Sequence, residues 1–256
     1  MSDTVVCWSD VLIRLNTCTY VKAFYMDTQS IADEITQSLK ALGRGTRQEH
    51  RPSSQHDFGV YTPELRGVVR DYKRRLASQS AEDVYQIALN LLDKNVTECR
   101  QAGYELVAGH KGARELLTPK RIEALGQDID NWACVDGFCC TLVGRAWREG
   151  RVSDATVMRW SQSQDVWWRR AAVVATVPLN IKAHGGVGDT VRTLMVCQSL
   201  LNDEEIMVQK AISWALRSLV TWDRGSVQGF LEEQSGSVSA LVRREVVHKL
   251  RTGKKN

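Results

Sequence analysis

A chain of 256 residues with 43% hydrophobic and 25% charged residues has enough apolar mass for a sizeable core and the composition of an ordinary globular protein. Four prolines exclude a proline-rich or low-complexity chain, and no apolar run reaches the roughly 18–20 residues that span a bilayer, so no membrane partner is expected. The net charge of +4 is unevenly placed: residues 1–139 carry 17 Lys+Arg against 19 Asp+Glu, a balance of −2, and residues 140–256 carry 17 against 11, a balance of +6. A basic C-terminal half suits a polyanion such as nucleic acid, although a merely solvated basic surface reads the same on charge alone.

Seven cysteines make an odd count, with Cys139 and Cys140 adjacent and no C-x-x-C pair. A disulfide framework is therefore not expected, and a reducing cytoplasm is (the nucleoid, if the source is bacterial). With five histidines and none beside the cysteines, no metal is expected either; the thiols read as small buried helix residues.

Residues 1–29 read as an N-terminal extension. Within it, residues 5–25 mix apolar side chains with Asp10, Arg14 and Lys22 and lack the apolar stretch of a signal peptide. From there helix signals recur and strand signals hardly appear. Ser30 is placed to cap a helix with Ile31, Ile35, Leu39 and Leu42 on one face. A polar loop over 43–58 follows, and Thr62-Pro63-Glu64 sets a cap, a proline and a first-turn carboxylate in order. Ser80 opens the next helix with Val84, Ile87, Ala88 and Leu91 inward, Asn95 to Glu98 resembles a capping box, and Thr118-Pro119 repeats the cap-plus-proline device. Further helices are predicted over 130–144, 153–161, 165–177, 189–201, 203–221, 226–234 and 239–250, separated by Gly144, Gly150, Gly185-Gly186, Asp203, Gly225 and Gly236.

The helix starts near 130, 165 and 203, each pair with a second helix between, recur at a little under the period of two-helix repeats of HEAT type, which is about 40 residues. The predicted fold is all-α: a single domain over 30–251, a solenoid of HEAT-like two-helix repeats whose inner helices line a concave surface, followed by a basic tail at 252–256. Trp132 and Asp136 are one helical turn apart and share a helix face. Arg170 follows Trp132 by roughly one such repeat, and Trp214 follows Arg170 by roughly another. On successive repeats these four side chains can converge. Each also has an ordinary reading: the indoles as packing residues, Asp136 as a carboxylate favoured near a helix N-terminus, and Arg169-Arg170 as an exposed basic edge.

Trp132-Ala-Cys-Val-Asp136, Val166-Trp-Trp-Arg-Arg-Ala-Ala-Val173, Gln209-Lys-Ala-Ile-Ser-Trp-Ala-Leu-Arg217 and Val242-Arg-Arg-Glu-Val-Val-His-Lys-Leu250 resemble the AlkD-type alkylpurine DNA glycosylases. Phe58-Gly-Val-Tyr-Thr-Pro-Glu-Leu-Arg66 resembles the approach to that family's second helix, and the likeness runs from about Ile31 to Leu250. The connection His184-Gly-Gly-Val-Gly188 is richer in glycine than the family pattern.

The resemblance implies that the concave surface of the solenoid is a basic DNA-binding groove. It also implies hydrolysis of the N-glycosidic bond of purines alkylated at N3 or N7 in double-stranded DNA, without a cofactor or metal and without base flipping. It implies Asp136 as the catalytic carboxylate, Trp132 and Trp214 as aromatic walls around the lesion's sugar, and Arg170 as a contact to the DNA phosphate. Arg145, Arg148, Arg159, Arg169, Lys210, Arg217, Arg243, Arg244 and Lys249 are further candidates for phosphate contacts. A monomer suits a DNA-wrapping solenoid. Two other classes stand beside this one: a non-catalytic HEAT-repeat protein binding distorted or branched DNA, and a protein–protein scaffold. An intact Asp136 weighs against the former, and the tryptophan–carboxylate set with the +6 balance against the latter.

Overall fold

A computed structural model describes residues 26–45 and 53–254, together with the backbone of Leu12–Arg14 and Tyr20–Lys22, which pair antiparallel. Most of the expected N-terminal extension, part of the 43–58 loop and the last two residues of the tail lie outside the described residues. The remainder is helical: α1 (Thr28–Ala41), α2 (Thr62–Arg75), α3 (Ala81–Leu92), α4 (Thr97–Gly109), α5 (Lys111–Glu115), α6 (Pro119–Leu125), α7 (Trp132–Phe138), α8 (Gly144–Arg148), α9 (Asp154–Ser161), α10 (Val166–Val174), α11 (Thr190–Ser199), α12 (Ile206–Leu219), α13 (Arg224–Glu233) and α14 (Ala240–Thr252).

The chain is an all-α, repeat-type fold. Helices α2, α4, α7, α10, α12 and α14 pack successively side by side, while α1, α3 and α6, then α9 and α11, back them. Ion pairs mark the repeat, because many join residues one period apart: Arg66–Glu105 (39 residues), Arg121–Glu82 (39), Arg192–Asp154 (38), Asp136–Arg170 (34) and Arg169–Asp203 (34). Inside, Trp147, Tyr104 and Phe138 are the largest side chains wholly removed from water.

Two of the predicted caps, Ser80 and Thr118, close their helices, and Asn131, which the sequence does not single out, closes α7. Ser80 Oγ accepts from Asp83 N, Thr118 Oγ1 from Arg121 N, and Asn131 Oδ1 from Cys134 N, each satisfying a first-turn donor that the helix itself leaves unpaired.

Four expectations change. Thr62 does not cap α2 but is its first helical residue; Tyr61 is the N-cap, and its N–H donates to Glu64 Oε2 at 3.3 Å. Asp27, not Ser30, caps α1, accepting from both Gln29 N and Ser30 N at 3.1 and 3.0 Å, since a carboxylate just upstream of the helix reaches two donors. Asn95 and Glu98 do not form a capping box. Val96 is the N-cap, Asn95 takes a left-handed φ of 52° and bonds Ser54 O, and Glu98 turns across to accept from Phe58 N and Val60 N.

Gly144, expected to end its helix, continues it. Helix α7 passes through a π-helical turn, Cys139–Val143, directly into α8. The glycine is there for close approach: a Cβ would lie 2.0 Å from Pro178 Cγ, and the turn Val177–Leu179 packs on that bare backbone.

Candidate active site

Along α7 and the π turn, Trp132, Asp136 and Cys140 recur every fourth residue on the less buried side, with Cys134, Val135 and Phe138 facing the core. Trp132, the first helical residue, is 36% exposed. Asp136 keeps a partly open side chain at 19%, whereas its partner Arg170, on α10, is 5% exposed. The guanidinium holds the carboxylate by a fork: Nε donates to Oδ1 at 3.1 Å, and Nη2 to Oδ1 and Oδ2 at 2.8 and 3.0 Å. Charge-assisted, bidentate bonds of this kind fix orientation as well as distance.

Arg170 also donates Nη1–H to the Met207 carbonyl in the first turn of α12. One side chain thus ties α7, α10 and α12 together. On α12, Met207, Lys210, Trp214 and Arg217 fall three to four residues apart along the less buried stripe, while Val208, Ala211, Ile212, Ala215 and Leu216 face inward. Trp214 is half-buried against the core. The π turn directly after Asp136 is a feature often found where a helix serves a functional site.

Burial pushes the Cys140 thiol up to about 12, with the Asp136 charge acting in the same sense, and carries Cys139 further still. Both stay protonated near neutrality and do not serve as nucleophiles. The chemistry present is therefore a half-open carboxylate oriented by a buried guanidinium. Among the described residues no group of three His, Cys, Asp or Glu is placed to hold a metal ion.

The other tryptophans sort by their indole N–H. Trp147 donates to Asp154, Trp160 to Glu123 and Trp222 to Asn180 O, the behaviour of packing residues. Trp168 packs against Phe138 and Trp160, with ring centroids 6.2 and 5.1 Å away.

The basic candidates divide as well. Arg169 pairs with Asp203 at 2.6 Å and binds Ser163 O and Gln164 O. Arg217 bonds Ser213 and lies 3.4 Å from Glu245, and Arg243 donates to Ser235 O. Lys210 is exposed and makes no ion pair among the described residues, and Arg244 is 72% exposed, its nearest carboxylate 3.9 Å off. Arg170, read from sequence as a phosphate contact, has its guanidinium engaged inside the protein.

Sequence reasoning missed the Met207 carbonyl, Asp203 and Glu245 as partners. Asp203 could have been found, because an acid one repeat from an arginine is the pattern that recurs along the chain, whereas Glu245 lies only 28 residues from Arg217.

No curated protein matches this sequence. A solved structure, a predicted DNA alkylation repair enzyme from Enterococcus faecalis, matches with a TM-score of 0.64 at 16% identity, covering 88% of this chain and 96% of that one, a likeness of fold alone. The family model described as DNA alkylation repair enzyme matches residues 31–250, nearly the whole helical body and all of the residues discussed above. With that match spanning the carboxylate, its guanidinium and both open-stripe tryptophans, the chain belongs to the DNA alkylation repair enzyme family.

Proposed function

We propose that this protein is a DNA glycosylase that hydrolyses the N-glycosidic bond of cationic purines alkylated at N3 or N7 in duplex DNA. The observation that carries this reading is the forked Asp136–Arg170 pair on the open stripe of α7, with Trp132 one turn before it. Through Met207 the same guanidinium is bound to the helix that carries Trp214. In this reading the two-helix repeats curve into a solenoid, and its concave, basic face receives the duplex as a monomer.

The chemistry asks for little else. An alkylated purine already carries positive charge, so it takes the electrons of the breaking C1′–N bond and departs as a neutral base, without a general acid. Positive charge grows on the deoxyribose instead. Asp136 opposes that charge and accepts a proton from the water whose oxygen bonds C1′. The indole faces of Trp132 and Trp214 favour the same cation, by about 0.5–2 kcal/mol each. Arg170 is the positioning residue that orients the carboxylate, and its charge offsets the repulsion between Asp136 and nearby phosphates.

Lys210 and Arg244 are the phosphate contacts this reading favours. Arg169, Arg217 and Arg243 act mainly by holding their helices in place. The lesion stays stacked while the site reaches its sugar from the backbone side, so the modified base edge need not fit a pocket and bulky adducts are tolerated.

Base release from duplex DNA bearing 7-methylguanine, compared between wild type and Asp136→Asn, tests the reading. Release by the wild type and retained binding without release by the variant supports it. If both proteins bind in a salt-sensitive way and neither releases this base or a bulky cationic adduct, the protein is a DNA-structure binder instead.

A further inference from the structure

The connection between α10 and α11 has no part in the site above, yet it is built tightly. Asn180 bonds Thr176 O and Thr193 Oγ1 through Nδ2 and accepts from Asp189 N, and Trp222 donates to Asn180 O at 2.7 Å. A Cβ at Gly186 would meet Leu179 O at 2.5 Å, and Gly188, at φ 89°, lies against the Trp222 ring. Glycine at 186 and 188 therefore lets the loop fold flat onto the body, while Lys182, Ala183, His184 and Gly185 stay exposed at its tip. Such a loop is a fixed platform rather than a slack connection.

That tip rests on a cation. Gly185, at φ 77°, lies on the Arg148 guanidinium, close enough for an added Cβ to stand 3.1 Å from Nη2. Arg148, the last residue of α8, pairs with no carboxylate among the described residues, and its Nη1 is buried without an acceptor. A second cation comes from α2: Arg66, 66% exposed, keeps a 3.3 Å bond from Nε to Glu105. Partial burial, then Arg148 and Arg66 in turn, push the His184 imidazole below its ordinary value. Near neutrality the cluster thus holds two guanidiniums beside a neutral imidazole that has an N–H to give. The two like charges, from α2 and α8, raise one another's energy, and an anion between them relieves it.

We propose that Arg66, Arg148 and His184 form a binding site for a backbone phosphate of duplex DNA, separate from the site at Asp136. The inference rests on the DNA reading above and deepens it. Asp136 and Arg148 lie on one continuous helical run, about 18 Å apart along its axis at about 1.5 Å per residue. The phosphate gripped here is therefore distinct from any held beside Asp136. The glycine-rich connection, in this view, is a backbone clamp that holds the duplex in register while Asp136 meets the sugar.

The test is fluorescence anisotropy of the full chain with an undamaged labelled duplex over a salt series, for wild type, Arg148→Gln, His184→Gln and Arg148→Lys. Expected are a drop of about 3- to 10-fold in affinity and a salt slope shallower by about 1 for Arg148→Gln. His184→Gln, at an exposed tip that leaves the helices untouched, weakens binding without removing a charge. Arg148→Lys restores the slope. Unchanged affinity in both glutamine variants overturns the proposal, as does a loss at Arg148 with an unchanged slope. A wild type without salt-sensitive duplex binding overturns this site and the glycosylase reading together, whereas normal wild-type binding with silent variants overturns this site alone.

Discussion

Helices α4 and α7 each carry a carboxylate near their N-terminal ends, Glu98 in the first turn and Asp136 in the second, and their surroundings differ in kind. Glu98 is 5% exposed and accepts two backbone N–H groups, from Phe58 and Val60, at 3.1 and 3.0 Å. Its acceptor capacity is spent on pinning a loop. Asp136 is held by a side chain from another helix and stays partly exposed beside an exposed indole. A carboxylate enclosed by main chain does structural work. One held by a guanidinium on a half-open stripe is oriented and still accessible, as a reacting group must be.

The comparison breaks most sharply at Asp136→Asn. The proposed site requires base release to fall by about 10²–10³-fold, the scale of losing a preorganised electrostatic group, in single-turnover assays well below the melting temperature. Asparagine keeps an acceptor for Arg170, so stability is expected to fall by no more than about 1.5–3 kcal/mol.

Glu98→Ala does the reverse. Two buried N–H groups lose their acceptor, costing about 2–5 kcal/mol in urea unfolding, while release per folded molecule stays near wild type. Burial, then the neighbouring Asp57 charge, raise the Glu98 carboxyl above the ordinary 4.5, and its two backbone bonds only partly oppose this. The folded state then binds a proton that the unfolded state has already lost. The contribution of Glu98 to stability is accordingly full below the ordinary carboxyl value and shrinks as pH rises through the raised one. Unfolding of wild type against the alanine variant from about pH 4 to 7 checks that sign.

Gly144→Ala, which drives a methyl into Pro178, is expected to cost about 1–3 kcal/mol and lower the melting temperature, displacing the π turn next to Asp136. Lys210→Ala is the smallest change. It is expected to leave stability within about 0.5 kcal/mol. Duplex affinity falls by less than about tenfold with a salt slope shallower by about 1.

Much of this was legible in the chain itself. Cap and proline signals located α2, α3 and α6, and the glycine and Asp punctuation placed α9 to α14 within a few residues, because capping and helical periodicity act over a single turn. Helix starts recurring at close to a HEAT-type period were enough to read a repeat. The motifs around Trp132, Asp136, Arg170 and Trp214 were enough to suggest the family that the match over 31–250 establishes. The cap of α1 moved only three residues, from Ser30 to Asp27, but the two larger misreadings share one cause. Gly144 and Glu98 look like local punctuation, and their roles are set by Pro178 and by the Phe58–Val60 backbone, each on a distant stretch of the chain.

Local chemistry in the sequence therefore determined which segments are helical, which face of each is apolar, and which residues are able to carry chemistry. Only the tertiary structure decided who partners whom. Arg170 reads as one of two adjacent arginines until packing brings α7 and α12 to either side of α10; its charge then goes to Asp136, and that of Arg169 to Asp203. A buried guanidinium takes the nearest acceptors its enclosure supplies, since leaving water unpaired is costly, and which acceptors are nearest depends on helices that the sequence spaces but does not dock.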